Sequence, residues 1–462
     1  MKKLLHMDYT TATMPVIATY LSLSFFFSDF GLSAVLGACF LLLWTGVCFL
    51  CFIRQKQYKL RRFGTVHWLV LVFNVFVLLN ILRNFSFDRT VIYYAIILTV
   101  GTALFWFSSP PTPKAIAVSK GILITVALLF AVVNIFVVCF PEQTRSILYQ
   151  VISQTSVAYN ERLAAEGYGF AFGEDIGFTA HVIALGLSIV WFNVNQKNLK
   201  SHIPMLLLLS FGLIAAQRRG ELIVWCLAIV IISVIKWIKT HGSLSVKAQL
   251  KLFATPLLCV IFSFAVFFCA VPSSRWDYVN YTSPETTQPQ TEATQTETTV
   301  VESSDGDGTP TEITQEETQT LNMDKLSNGR RVLWTLAFDA FMEKPVFGHG
   351  WHSFSEIAPL SGNTHATNVH CVYLQLLCET GIVGFVIVGT VFLWILVLIV
   401  RKITSSDGRN LSDYLLGLCI LLAMLILGLV DNSLYNVYWI QAFQLMIFLV
   451  FCGREWSAKM DV

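Results

Sequence analysis

The sequence predicts an all-α fold: a polytopic membrane protein of about 12 transmembrane helices with a large external loop between helices 9 and 10. Two observations carry that class. Of 462 residues, 55% are hydrophobic and 13% charged, roughly half the charged share of a soluble domain. Apolar runs close to the length that crosses the hydrocarbon as a helix also recur along the chain. With 36 Phe, 12 Trp and a mean hydropathy of +0.64, soluble globular, disordered and fibrous classes are excluded.

Twelve runs qualify, at 10–28, 31–53, 64–82, 90–107, 118–140, 177–195, 203–217, 221–239, 250–272, 380–400, 411–430 and 436–453. Met1-Lys2-Lys3 leads into the first, which is read as a retained span because further spans follow. Only Gln217-Arg218-Arg219-Gly220 separates the seventh from the eighth, which predicts a tight helical hairpin. The basic segments at 54–62, 197–200, 236–251 and 401–409, with Arg454 and Lys459 in the tail, all fall on one side if both termini are cytoplasmic. That side then holds most of the 31 Lys and Arg, so the positive-inside rule predicts N-in, C-in.

This orientation divides the chain into residues 1–272, with helices 1–9 and an external loop at about 141–176; 273–379, the large external loop; and 380–462, with helices 10–12. Within the large loop, residues 282–320 hold 13 Thr, nine acidic residues and no Lys or Arg. Such a stretch has too little apolar surface to fold and reads as a disordered spacer. Its Asp305-Gly306-Asp307-Gly308 faintly resembles a calcium loop but lacks the remaining ligands at their spacing. The eleven Cys are scattered; Cys39, Cys48, Cys51, Cys226, Cys419 and Cys452 lie within or beside apolar runs and read as small hydrophobes.

Few polar residues then need a reason. Arg218 and Arg219 sit outside, between two spans, where topology does not call for them. They read either as a snorkelling pair on lipid phosphates or as an anion site, since a guanidinium is a permanently charged fork of donors suited to phosphate. The segment 328–379 is the second concentration. Arg330-Arg331-Val332-Leu333-Trp334 opens an amphipathic helix, with Leu336, Ala337, Phe338 and Phe341 also on its apolar face, resembling one that lies in the membrane interface. Pro345 stops it and Gly348-His349-Gly350 makes a turn. A polar loop with His352, Glu356, Asn363, His365, Asn368 and His370 follows, and Tyr373 to Glu379 reads as a helix running into the tenth span.

Four of the nine His fall between 349 and 370. A zinc site from His349, His352, His365 and His370 lacks a Cys partner other than Cys371 and any helical i,i+4 pair with an adjacent Glu. One His acting as general base is more economical, and loop histidines without a role remain a third reading. His181, inside the sixth span, reads as hydrogen-bonded within the bundle rather than catalytic.

The stretch His370-Cys371, nine further residues, then Gly381-Ile382-Val383-Gly384 resembles the signature of the O-antigen ligase and O-antigen polymerase superfamily, bacterial membrane glycosyltransferases acting on lipid-linked glycans. Gly329-Arg330-x3-Trp334 and Pro345-Val346-Phe347-Gly348-His349-Gly350 look like that family's lead-in, and Arg218-x3-Leu222 resembles its external arginine motif. Cys371 departs from the Asn, Ser or Gln usual after the His.

The resemblance implies a metal-independent inverting enzyme without cofactor, in the bacterial cytoplasmic (inner) membrane, with its active site external. Its partners would be an undecaprenyl-pyrophosphate-linked oligosaccharide, an acceptor glycan and membrane lipids, with no nucleic acid. His370, Arg218 and Arg330 would be catalytic; Arg219, Arg331, His365 and Glu379 would bind substrate, with Arg162 behind them. A surface or capsular polysaccharide polymerase is the first expectation. A ligase to lipid or protein is the alternative, and a flippase or transporter the rival of another class. Few acidic or Lys residues lie in the middle of spans to couple ions, which speaks against that rival.

Overall fold

A computed structural model describes residues 9–23, 29, 34–54, 63–83, 89–165, 168–241, 245–271, 330–360, 368–406, 408 and 410–451. The spacer at 282–320 and His365 lie outside the described residues. Sixteen α-helices are described: α1 (Thr13–Leu23), α2 (Ala34–Arg54), α3 (Thr65–Arg83), α4 (Arg89–Phe107), α5 (Pro113–Cys139), α6 (Pro141–Leu148), α7 (Gln154–Ala165), α8 (Ile176–Asn193), α9 (Leu199–Ala215), α10 (Arg219–Thr240), α11 (Val246–Ala270), α12 (Arg330–Glu343), α13 (Phe354–Leu360), α14 (Val372–Ser405), α15 (Leu411–Leu427) and α16 (Val437–Phe451). Among the described residues every element is helical.

Each of the twelve apolar runs is centred on one of these helices. Six helices, α3, α5, α8, α10, α11 and α14, are long and apolar enough to cross a membrane. Shorter apolar helices lie within α2 and α4 and form α9, α15 and α16. The molecule is therefore an all-helical, multi-pass membrane protein. Its bundle is organised around α8, which packs against α5, α9, α10 and α15. Nearly all of α8 is buried, whereas α11 and α14 keep apolar faces such as Leu258, Ile261, Phe262 and Leu393 open to the lipid.

Three expectations about local structure change. The stretch between 352 and 370, expected as a polar loop, contains α13, whose Phe354 and Ala358 are fully buried with Ala337 and Ala340 of α12. The expected external loop at 141–176 is built on α6 and α7. The Gln217–Gly220 connection is short, with only three residues between α9 and α10 and Gln217 in the left-handed region, but the expected helical hairpin does not form: α9 packs on α5, α8 and α11, whereas α10 packs on α8 and α15.

His181 is corrected as well. Neither ring nitrogen has a hydrogen-bond partner in the protein. The imidazole is instead wedged among aromatic rings, edge-on to Trp439 at 4.2 Å and beside Tyr438 and Trp225. The residues that close around it from α10 and α16 present aromatic rings, with the Trp225 indole N–H turned to Glu221 and the Tyr438 hydroxyl to Asn436, so packing sets its place.

Candidate functional site

Five chain segments meet at one end of the bundle: the α9–α10 connection, the start of α12, the residues before α14, the α15–α16 connection and the residues before α8. Asp431, in the α15–α16 connection, ties them together. One of its carboxylate oxygens, Oδ2, accepts from the Arg218 guanidinium at 3.2 Å. The other faces His370 Nδ1 at 3.3 Å and accepts from the Asn432 backbone N–H at 2.8 Å. Arg330 reaches the same connection by donating to the Val430 carbonyl.

The electrostatics follow from this geometry. Burial alone raises the Asp431 pKa, but the His370 hydrogen bond and the Arg218 charge outweigh it and hold the carboxyl at about 2. An ionised carboxylate only accepts, so His370 donates Nδ1–H and keeps the lone pair on Nε2. The His370 side chain is 39% exposed, which leaves that second nitrogen open to a reactant. For Arg218, burial opposes the charge, yet Asp431, Tyr438, Asp175 and Glu221 together raise its pKa. Arg218 is therefore a fixed cation in an otherwise acidic surround.

Backbone geometry aims His370. Its φ is +55°, an uncommon conformation for a residue with a side chain. Both flanks are pinned: the Val369 N–H donates to the Gln375 side chain at 3.3 Å, and the Val372 N–H donates to the Gly428 carbonyl at 2.8 Å. That second bond draws the start of α14 against the end of α15, three residues before Asp431. Tyr373 adds a hydroxyl bond to the Leu425 carbonyl at 2.7 Å.

The glycine-rich motifs flanking the histidine have a packing role. Within α14 the backbone breaks at Gly381, with φ +65°. The 345–350 turn fits into that break. Ile382 and Val383 N–H groups donate to the Pro345 and Val346 carbonyls, while His349 and Gly350 N–H groups donate to the Cys378 and Glu379 carbonyls. A Cβ on Gly348 would lie 2.4 Å from the Glu379 carbonyl carbon, and one on Gly381 2.4 Å from that of Val346. Both positions have positive φ, so only glycine fits on both counts. Arg83, from the end of α3, donates to the Phe347 and Gly348 carbonyls and clamps the turn from outside.

The remaining sequence-predicted residues sort by position. Glu379 is fully buried and accepts from the His352 N–H at 2.7 Å and the Gln375 amide at 3.0 Å, so its carboxylate organises the turn after Gly350. Arg219 begins α10 beside Arg218, and Arg331 is exposed on α12. Arg162 lies over the Tyr159 ring at 5.0 Å, and Tyr159 is itself within the field of Arg218. His349 donates Nε2–H to the Ala340 carbonyl at 2.9 Å. Among the described residues no three His, Cys, Asp or Glu side chains are grouped to hold a metal ion.

Sequence reasoning missed Asp431, Glu221 and Arg83. The available signal for Asp431 was its sidedness: it is an acid in the short connection between two apolar runs, on the face already assigned to Arg218.

Residues 204–389 match the family model described as O-antigen ligase. This match supports the resemblance to the O-antigen ligase and polymerase superfamily. The O-antigen ligase segment contains Arg218, Arg330 and His370, in the order the motifs suggested, and ends before Asp431, which the fold brings to them. No curated protein matches the chain. Members of this superfamily are glycosyltransferase-like membrane enzymes, and the match supports a membrane function of that general kind.

Proposed function

We propose that this protein is a metal-independent, inverting glycosyltransferase that extends or transfers undecaprenyl-pyrophosphate-linked glycan at the outer face of the bacterial cytoplasmic membrane. The observation that supports it most is the Arg218–Asp431–His370 contact set with Arg330 beside it. The acceptor hydroxyl attacks the anomeric carbon as the bond from that carbon to the pyrophosphate oxygen breaks. The bonding pair leaves with the pyrophosphate, and the acceptor proton passes to His370 Nε2. Arg218 and Arg330 meet the charge that grows on the leaving group, and only stabilisation that grows toward the transition state accelerates transfer. Attack opposite the leaving group inverts the anomeric centre.

Asp431 holds the imidazole in the tautomer that presents a basic Nε2 and stabilises the imidazolium as it forms, the role of a carboxylate behind a catalytic histidine. Arg219, Arg331, His365 and Glu379 act behind these groups, Glu379 through the turn it secures. Lys236 and Lys239 at the end of α10 and Arg401 and Lys402 near the end of α14 lie at the opposite end of the spans, which supports an external site with cytoplasmic termini. The domain division is that given above, with 328–379 as the catalytic segment.

Polymerase is the preferred assignment, because the large loop carries a solvated spacer and no evident acceptor-docking domain. Glycan chain-length analysis of a deletion strain tests it. Single-unit products are expected; accumulation of full-length lipid-linked chains would assign a ligase instead, and unchanged glycan would overturn both.

A further inference from the structure

The residues of α12 sort onto three faces, and only two of them have a partner. Ala337 and Ala340 are buried against α13 and α14. Asp339 and Glu343 are exposed on a polar face, which Val332 interrupts. Between these lies a third face carrying Phe338 and Met342, one helical turn apart, with the exposed Arg331 and Thr335 seven residues before them on the same stripe and the half-buried Trp334 and Phe341 at its edge. Met342 is 60% exposed. The apolar surface does not stop at the helix end: Val346 and Phe347, 59% exposed, continue it.

What covers this face is indicated by its continuity. The Val346 carbonyl is bonded to Val383 N–H, next to the exposed Ile382, and the Phe347 carbonyl is held by Arg83, next to the exposed Leu82. Leu82 and Leu79 of α3, and Ile382 and Val386 of α14, belong to the lipid-facing belt of two membrane-spanning helices. The bare face of α12 and the tip of the 345–350 turn therefore extend that belt, with the exposed Arg331 at the start of the α12 stripe. Arg83 and Lys344 stand at its margin, where cations meet lipid phosphates. A helix with one polar and one apolar face, continuous with a bilayer-facing surface, has the composition of an interfacial segment.

We propose that Phe338, Met342, Val346 and Phe347 insert into the outer leaflet, so that a lipid surface is the partner of this face and fixes the depth of the transfer site. Because α12 begins with Arg330, seating its apolar face in the acyl boundary holds that guanidinium at the level of lipid headgroup phosphates. A donor anchored by its own lipid tail then presents its pyrophosphate at the height of Arg330 and Arg218. The inference rests on the membrane reading and deepens the proposed function, but its test does not depend on transferase activity.

The test uses the full chain with Cys39, Cys139, Cys269 and Cys452 replaced by Ser. Single nitroxide labels are placed at Phe338→Cys, Met342→Cys and Phe347→Cys, with Asp339→Cys and Glu343→Cys as water-facing controls. Val346→Cys serves in place of position 347 should that variant fail to insert. The labelled proteins are reconstituted in phosphatidylethanolamine–phosphatidylglycerol vesicles, and collisions with oxygen and with a water-soluble nickel chelate are measured. The ratio of oxygen to nickel accessibility is expected to be about tenfold higher at 338, 342 and 347 than at the controls, as for side chains below the headgroups. Equal ratios at both sets overturn the proposal. So does low accessibility to both reagents at 338 and 347, which would mean that protein covers the face. Loss of transfer by a His370 variant, or its absence, leaves this result unaffected.

Discussion

Asp431 joins three groups that no local stretch of chain could bring together. Its two carboxylate oxygens face Arg218 and His370, and the next carbonyl upstream receives Arg330. Removing its charge leaves a partly buried guanidinium without its partner and frees the imidazole to take either tautomer. Asp431→Asn keeps the size of the side chain and should lower glycan transfer by roughly 10²–10³-fold, the range for losing one group aimed at the transition state. Product chains quantified against protein of normal abundance check it. His370, Arg218 and Arg330 were legible in the sequence because their sidedness left them without a topological explanation and their motifs resemble one family. Asp431 was not, since one acid after an apolar run looks like an ordinary span terminus until the fold sets it against α10 and α14.

At the scale of elements, the 345–350 turn and the break in α14 form one interlocked unit. Gly348 and Gly381 both have positive φ, and a Cβ on either would run into the backbone of the other segment of the unit. Gly348→Ala and Gly381→Ala should each destabilise the protein, by about 1–3 kcal/mol for the strained φ alone and by more for the overlap. Gly389→Ala, in the same helix with nothing within 4 Å of its added Cβ, should leave stability unchanged. Thermal unfolding of the three purified variants in detergent distinguishes them. The sequence marked both motifs as parts of a signature but could not show that they serve each other. That relation depends on a backbone break inside one helix, which apolar periodicity reads straight through. The same limit applies to α13, whose apolar residues are too few and too mixed with polar ones to register as an element.

At the scale of the whole molecule, the fold class and the placing of the helices followed from apolar run length, because the hydrocarbon admits little else. Which helix lies innermost did not follow: α8 and α11 are both apolar, yet α8 is enclosed and α11 faces lipid. That choice depends on shape matching between helices and leaves no periodic trace. The proposed site draws on residues outside the spacer at 282–320, so deletion of that stretch should leave glycan transfer within about twofold of wild type. Loss of activity in a protein that still inserts would assign it a role.

The central claim is that His370, held by Asp431 beside two guanidiniums, takes the acceptor proton during transfer of a lipid-linked glycan. Its most direct test is the glycan product profile of a deletion strain complemented with His370→Ala at wild-type membrane abundance. The account predicts no transfer product. Near-normal product chains from that strain would contradict it.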